Sequence, residues 1–369
     1  MPRTSCGTSK GGCTTRGTAS DGVMRKLLLP FSFIYGSLIW LRNRAFDAGL
    51  LTTTNVGVPV VSVGNLTAGG TGKTPLVEWI AGYLLKKGRR VAIISRGYGR
   101  ESSGVVVVSD GSRILCGARR GGDEPVEMAR TLPRAAVVVG ERRVKAARHA
   151  IEALKADFLL LDDGFQHRYI GRDLDILVLD SRKDITAEAL LPAGIRREPL
   201  GGIRRAGLVA FSRAGGGSKG KIPGWYTGPT ISYRAVTVSA VRASDDQTVT
   251  VESLRSRRAF AFSGIGDHGQ FVEGLRESGL DVRGDRLFPD HHVYGAADLA
   301  RIAGDAIAAG VEIVVTTHKD YVRLVECGAP IEEIWSRDIL FYTRIAVEMV
   351  GGEEVLKALL DDLTARPRA

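Results

Sequence analysis

"VVSVGNLTAGGTGKTPLVEWIAGYLLKKG", residues 60–88, passes from an apolar run through a glycine-rich turn and a Lys-Thr pair into a segment of helical spacing. The apolar run predicts a buried strand, and Leu76, Ile80 and Leu84 predict a helix starting at Lys73. Between them residues 67–74 read T-A-G-G-T-G-K-T, close to G-x-x-x-x-G-K-[ST] but with Thr67 at the first glycine position. Backbone N–H groups must converge on phosphate oxygens, and Gly69, Gly70 and Gly72 allow this without a Cβ clash. Lys73 is placed to reach the β/γ-phosphates and the Thr74 hydroxyl to ligate Mg²⁺, with the positive end of the following helix aimed at the same anion. Strand before and helix after make a chance glycine turn a poor account. Thr67, Ala68, Gly69, Gly70, Thr71, Gly72, Lys73 and Thr74 are therefore read as a nucleoside triphosphate site.

Such a loop also needs a carboxylate at the end of a neighbouring strand to hold the magnesium shell. "ADFLLLDDGFQH" supplies Asp162 and Asp163 after a buried run; one of the two can instead cap the next turn, so the choice between them stays open. Further strands are expected at 58–63, 91–95, 104–108, 135–139, 174–179 and 206–211, with a helix at 141–155 burying Val144, Ala147, Ile151 and Leu154. This β/α alternation predicts a mostly parallel sheet with helices on both faces. Residues 213–224 read as a loop, and runs near 228–241 and 245–252 as a hairpin or linker. A second α/β unit begins at Arg258, with strand "AFAFSGIG", a helix at 269–278 and a strand "EIVVTTHKD" near 312–320.

The 369 residues suffice for two domains, and 44% hydrophobic with 25% charged residues is a soluble globular balance. The net charge of +10 favours an anionic partner without choosing among nucleic acid, membrane surface and phosphorylated substrate. Nucleic acid fits least, because the charge is dispersed and no aromatic-basic stacking motif occurs. Cys6, Cys13, Cys116 and Cys327 are widely spaced, as reduced thiols are. Residues 1–23, rich in Gly, Ser and Thr, are expected to be disordered, and Met24 is a second candidate for the initiator. The apolar run Leu27–Leu41 contains Pro30 and falls short of the roughly 20 residues a membrane span needs. Arg25, Lys26, Arg42 and Arg44 flank it, which suits a helix lying in a membrane interface; the alternative is an ordinary buried helix.

Polar blocks stand where loops leave strand ends: "SRGYGR" (95–100), "GGDEP" (121–125), "DDGFQHRYIGRD" (162–173), "LLPAGIRREPL" (190–200) and "FPDHH" (288–292). In an open α/β sheet such loops gather at the carboxyl edge, where ligands bind. The Asp290-His291-His292 trio is a candidate for proton transfer, although Asp-His pairs also brace loops.

These blocks, with "VGNLTAGGTGKTP" and "TTHKD", run in order from about residue 24 to 325, and the chain resembles the tetraacyldisaccharide 4′-kinase (lipid A 4′-kinase) family. The resemblance implies an α/β fold: a P-loop NTPase-like three-layer α/β/α domain plus a second, smaller α/β domain joined by a short β linker. The corresponding boundaries are 1–23 for the extension, 24–50 for the interface helix, 51–225 for the P-loop domain, 226–255 for the linker and 256–369 for the second domain. It implies transfer of the ATP γ-phosphoryl group, with Mg²⁺, to the 4′-hydroxyl of a lipid-linked disaccharide, by a peripheral enzyme on the cytoplasmic face of the bacterial inner membrane. No obligate protein partner is implied. By the same resemblance Asp123 of "GDEP" is the general base, His291 orients or tunes it, and Thr74, Asp162 and Asp163 serve the metal. Two positions depart from the family: His318 replaces a Glu in "TTHKD", and "GIGDH" replaces "GIGNP". Competing readings are a soluble P-loop small-molecule kinase or ligase, and a nucleotide-switch ATPase.

Overall fold

The computed structural model describes residues 19–215, 220–290, 292–326 and 339–365, with side chains from Met24 onward. The apolar run opening the phosphate loop forms β1 (Val60–Asn65), buried at every position. It lies parallel to β5 (Phe158–Asp162) on one side and β6 (Leu174–Asp180) on the other. Beyond β5 come β2 (Val91–Ser95) and β4 (Ala136–Val139), both parallel, then β3 (Val106–Asp110), an antiparallel edge. Beyond β6 comes β7 (Leu208–Ser212). The chain leaves β1 between strands that it builds later on opposite sides, and this switch point is where an open α/β sheet forms its ligand crevice.

Both faces are covered because each strand alternates two apolar sets. Val61, Val63 and Ile93 face α2 (Lys73–Lys86), whose Leu76, Ile80 and Leu84 are fully buried. Val60, Ala92 and Ile94 face the small residues Ala146, Ala147 and Ala150 of α5 (Arg143–Glu152). The sheet then continues without a break. Strand β8 (Thr230–Arg242) pairs parallel with β7 and antiparallel with β13 (Leu340–Gly351), while the short β9 (Thr248–Thr250) forms the expected hairpin partner. From β13 the order runs through β12 (Ile313–Thr317) and β10 (Arg258–Ser263) to β11 (Asp281–Leu287), completing a 13-stranded sheet. Here α6 (His268–Glu277) and α7 (Ala296–Ala308) cover opposite faces, through Val272 and Leu275 and through Leu299 and Ile302.

Three local readings are corrected. The first helix, α1 (Ala19–Asp47), starts inside the segment expected to be disordered and carries Pro30 within it. The "GDEP" residues do not sit in a strand-end loop: they open a helix, α4 (Asp123–Thr131), that follows the single turn α3 (Ala118–Gly121). The "EIVVTTHKD" strand stops at Thr317, and His318 begins α8 (His318–Glu326). The Thr317 hydroxyl accepts from the Asp320 N–H at 3.1 Å, the pattern of a helix N-cap, and so ends the extended run.

The last helix, α9 (Glu353–Ala365), crosses back to the first half of the sheet. Its Leu356, Leu360 and Leu363 join Leu76, Ile80 and Leu84 in one cluster, and Tyr83 donates to Asp361 at 2.8 Å. Leu360→Ala is expected to lower unfolding stability by about 2–4 kcal/mol in a denaturant titration. A loss below about 1 kcal/mol would contradict this packing.

Candidate active site

The phosphate loop is held open by partners on three sides. Gly72 caps α2 in the left-handed region, at φ 76°, and its carbonyl accepts from the Tyr233 hydroxyl of β8 at 2.8 Å. Gly69 also has positive φ, 95°, and a Cβ there or on Gly70 would meet no protein atom within 4 Å, so the loop turns its bare backbone toward open space. Asn65 holds the interior: its amide donates to Thr71 Oγ1 at 3.1 Å and to the Gly69 carbonyl at 3.4 Å. On the remaining side the "PAGIRREP" segment pairs with the loop entry. Ala68 N–H donates to the Ile195 carbonyl at 2.7 Å, Arg197 N–H donates to the Leu66 carbonyl at 2.6 Å, and Thr67 bridges Arg196. The Ala68 amide is thus engaged with protein, and Thr67 and Ala68 shape the loop while Gly69 to Gly72 present it.

Lys73, the first residue of α2, points at the end of β5, where its Nζ lies 3.4 Å from Asp163 Oδ1. Arg197 approaches the other oxygen at 2.9 Å. Burial works against ionisation of Asp163, but Lys73 and Arg197 outweigh it and hold its carboxyl below the usual range. Asp162 is the opposite case. It is buried, accepts from the Ser95 hydroxyl at 3.1 Å, and is pushed well above the usual range by burial and by the negative charges of Glu124 and Asp163. A buried carboxylate short of cationic partners beside an anion-binding loop is the kind of donor a divalent ion takes, so Asp162, rather than the already paired Asp163, is the carboxylate whose surroundings fit Mg²⁺.

Asp123 and Glu124 stand in the first turn of α4, where the helix dipole favours negative charge. Backbone contact joins this turn to the "SRGYGR" loop: a Cβ on Gly122 would lie 3.1 Å from Gly97 Cα. Both acids are met from α8, Asp123 by Arg323 Nε at 2.7 Å and Glu124 by Lys319 Nζ at 3.1 Å. Arg323 and Asp320 also bond to Gly264, whose Cβ would lie 2.9 Å from the Pro289 carbonyl of the "FPDHH" loop. That loop therefore reaches the same cluster. His291 itself lies outside the described residues, and His292 stacks on Phe288 and bonds to Asp298 at 3.0 Å.

The departure His318 is buried 3.8 Å from Glu127 and stacks on Tyr342, and burial with the nearby Arg344 and Arg130 lowers its pKa to about 4. Arg100 is tied to Glu141 and to the Gly104 carbonyl, which makes it a brace for its loop. Residues that the sequence reading passed over include Tyr233, Arg323 and Arg143. Arg143 is buried, and with Arg42, Arg96 and Arg172 it surrounds His167.

A glycine loop at the switch point, a Lys-Thr pair at the helix start and two strand-end carboxylates define a P-loop phosphotransferase of the α/β class. The family model "Tetraacyldisaccharide-1-P 4′-kinase" matches residues 24–365, and the chain belongs to that family. It is 42% identical over 336 residues to the tetraacyldisaccharide 4′-kinase of Anaeromyxobacter sp. (strain K), covering 89% of this chain and 88% of that one. To the enzyme of Chlorobium phaeovibrioides it is 38% identical over 348 residues, covering 92% and 98%. The crystal structure of the "apo" form of LpxK from Aquifex aeolicus in complex with ATP superposes with a TM-score of 0.76 at 36% identity, over 92% of this chain and 99% of that one.

Burial, followed by the charges of Arg143, Arg172, Arg42 and Arg96, lowers the His167 pKa to about 4. The unfolded chain, with an ordinary histidine pKa of about 6.5, binds more protons between these values. The His167 contribution to stability is therefore complete above pH 6.5 and is lost as the pH falls toward 4. An NMR titration should find its imidazole neutral at pH 6, and His167→Gln should flatten the acid side of the stability profile. A midpoint at or above 6 would overturn this environment.

Proposed function

We propose that the chain transfers the γ-phosphoryl group of ATP to the 4′-hydroxyl of tetraacyldisaccharide 1-phosphate, the step that forms lipid IVA in lipid A biosynthesis. Family membership along residues 24–365 carries this reading, and the phosphate loop supplies the chemistry for it. Gly69 to Lys73 bind the triphosphate, and Lys73 stabilises negative charge on the transferring group and on departing ADP. Magnesium, held by Thr74 with Asp162, would neutralise further phosphate charge. Asp123 accepts the proton of the sugar hydroxyl as the new O–P bond forms and the bond to the β-phosphate oxygen breaks, with His291 assisting. The arginines around His167 gather positive charge beside the turn after β5, which suits a substrate that itself carries phosphate.

The lipid requires the enzyme to meet a membrane surface, and α1 supports that reading. It docks through a narrow seam: the Ser32 hydroxyl donates to the Leu190 carbonyl, the Tyr35 hydroxyl to the Arg197 carbonyl, and a Cβ on Gly36 would lie 2.7 Å from Leu190 Cδ1. Outside the seam Leu27, Phe31, Phe33, Leu38 and Leu41 are exposed, each at 60% or more. Burying such a side chain is worth roughly 1.5–3 kcal/mol, a sufficient drive for insertion among acyl chains. No helix among the described residues is long and apolar enough to cross a membrane. The proposal is a peripheral enzyme on the cytoplasmic face of the inner membrane, with Arg25, Lys26 and Arg44 near the headgroups; Arg42 is turned inward to the Gln166 carbonyl.

Labelled ATP should transfer phosphate to a lipid-extractable product that depends on the disaccharide acceptor. Asp123→Ala should lower kcat about 10²- to 10⁴-fold, the range typical of a positioned base, with ATP affinity little changed. Near-normal turnover in that variant removes Asp123 from the base role. Replacing Phe31, Phe33 and Leu38 together by Ser should abolish co-flotation with anionic phospholipid vesicles while ATP binding persists. Undiminished flotation would refute the membrane seat of α1.

A further inference from the structure

We propose that Arg323 is a positioning residue for phosphoryl transfer, fixing the Asp123 carboxylate from the opposite half of the sheet. The inference rests on Asp123 acting as the base. Arg323 is 5% exposed in its side chain and gives Nε to Asp123 Oδ2 at 2.7 Å, while Nη1 donates to the Gly264 carbonyl at 2.9 Å and to Asp320 Oδ1 at 3.1 Å. Asp320 is fully buried and is held in turn by the Gly264 N–H, the Tyr294 hydroxyl at 3.0 Å and the Thr317 hydroxyl at 2.6 Å. The guanidinium is therefore oriented by its own half of the molecule before it meets Asp123.

That order decides what the contact does. A planar fork whose Nη1 is locked by two acceptors aims its Nε–H in one direction, whereas an ammonium on a flexible stem would not be so aimed. Gripping one carboxylate oxygen fixes the direction of the other, which a base needs if it is to meet a hydroxyl within hydrogen-bond reach. Asp320 alone already compensates the buried Arg323 charge as an i,i+3 pair, so the bond to Asp123 is additional to what burial demands. Asp123 keeps 24% of its side chain exposed, as a group that must reach substrate does. The neighbouring charges on both helices are already engaged with one another: Lys319 pairs with Glu124, and Glu127 lies buried beside them.

The test compares kcat and the KM for ATP in Arg323→Met, Arg323→Lys, Asp123→Ala and the Asp123→Ala/Arg323→Met pair. Arg323→Met should lower kcat about 10- to 100-fold, the loss expected for one charged hydrogen bond, with the KM for ATP unchanged. Arg323→Lys should recover part of that loss, because it keeps the charge without the fork. In the Asp123→Ala background Arg323→Met should have no further effect. An Arg323→Met kcat within about twofold of the parent, or the same fold loss in both backgrounds, overturns the proposal. So does a parallel fall in kcat and ATP affinity in the lysine variant, which also serves as the test should the methionine variant fail to fold. Near-normal turnover of Asp123→Ala would defeat the base assignment itself; a crippled Asp123→Ala beside an unaffected Arg323→Met would defeat this inference alone.

Discussion

Two cations, Lys73 from the phosphate loop and Arg197 from the "PAGIRREP" segment, converge on the single carboxylate of Asp163. Asp163 occupies the left-handed region at φ 49°, a conformation that a non-glycine residue keeps only when its surroundings over-determine it. Here the two ion pairs do so, and a third constraint comes from Gly164, where a Cβ would lie 2.7 Å from Ser62 Oγ of β1. The turn after β5 is thereby pressed against β1 and points its charge at the loop leaving β1. Without the carboxylate, Lys73 and Arg197 would repel each other at the place where a triphosphate must enter. With it, the cations are gathered in advance and arriving phosphate oxygens meet an assembled site, which is how electrostatic preorganisation limits reorganisation during reaction.

The same node extends to the surface that carries α1. Arg197 receives the Tyr35 hydroxyl on its carbonyl, and Glu198 beside it is fully buried among Arg205, Gln166 and Asn43 of α1. Gln166 in turn donates to the Asn65 carbonyl at the mouth of the phosphate loop. Phe46 packs α1 against Tyr169, and the hydrogen bonds that place the helix lead directly to the loop that holds nucleotide. The exposed apolar face and the phosphate loop therefore share one framework of hydrogen bonds.

The parts legible in the sequence were those whose chemistry constrains the backbone locally. A glycine-rich turn followed by Lys-Thr and a paired acid after a buried run each carry their meaning within a dozen residues, and the family resemblance added Asp123. What escaped depends on pairings distant in sequence. Tyr233 reaches Gly72 from 161 positions away, and Arg323 reaches Asp123 from 200 positions away. Arg323 was further hidden by reading "EIVVTTHKD" as one strand: β-branched Val and Thr continue the extended signal up to the point where Thr317 caps α8. The long antiparallel pair β8 and β13 was missed for a related reason. Its partly exposed alternation looks like a linker until the partner strand, more than a hundred residues later, makes it the middle of a sheet.

Besides the β-ladder, ion pairs join the halves of the molecule, and two sets of them near the phosphate loop and the Asp123 turn are not equivalent. On one side Arg182 and Arg213 reach Asp267 at 3.0 and 3.3 Å. Asp267 also caps α6 through the Gln270 N–H, and His268 links Ser263 to Asp285, so the turn is braced by its own residues. Arg182 is nearly half exposed there, and water and salt screen such a pair to about 0–1 kcal/mol. On the other side Arg323 is almost fully enclosed and already paired with buried Asp320, so its contact with Asp123 is little screened by water or salt. The solvated clamp can yield to small changes in ionic conditions, whereas the enclosed one resists them. The geometry around Asp123 is accordingly the stiffer of the two contacts, and such stiffness is what the proposed base role of Asp123 requires.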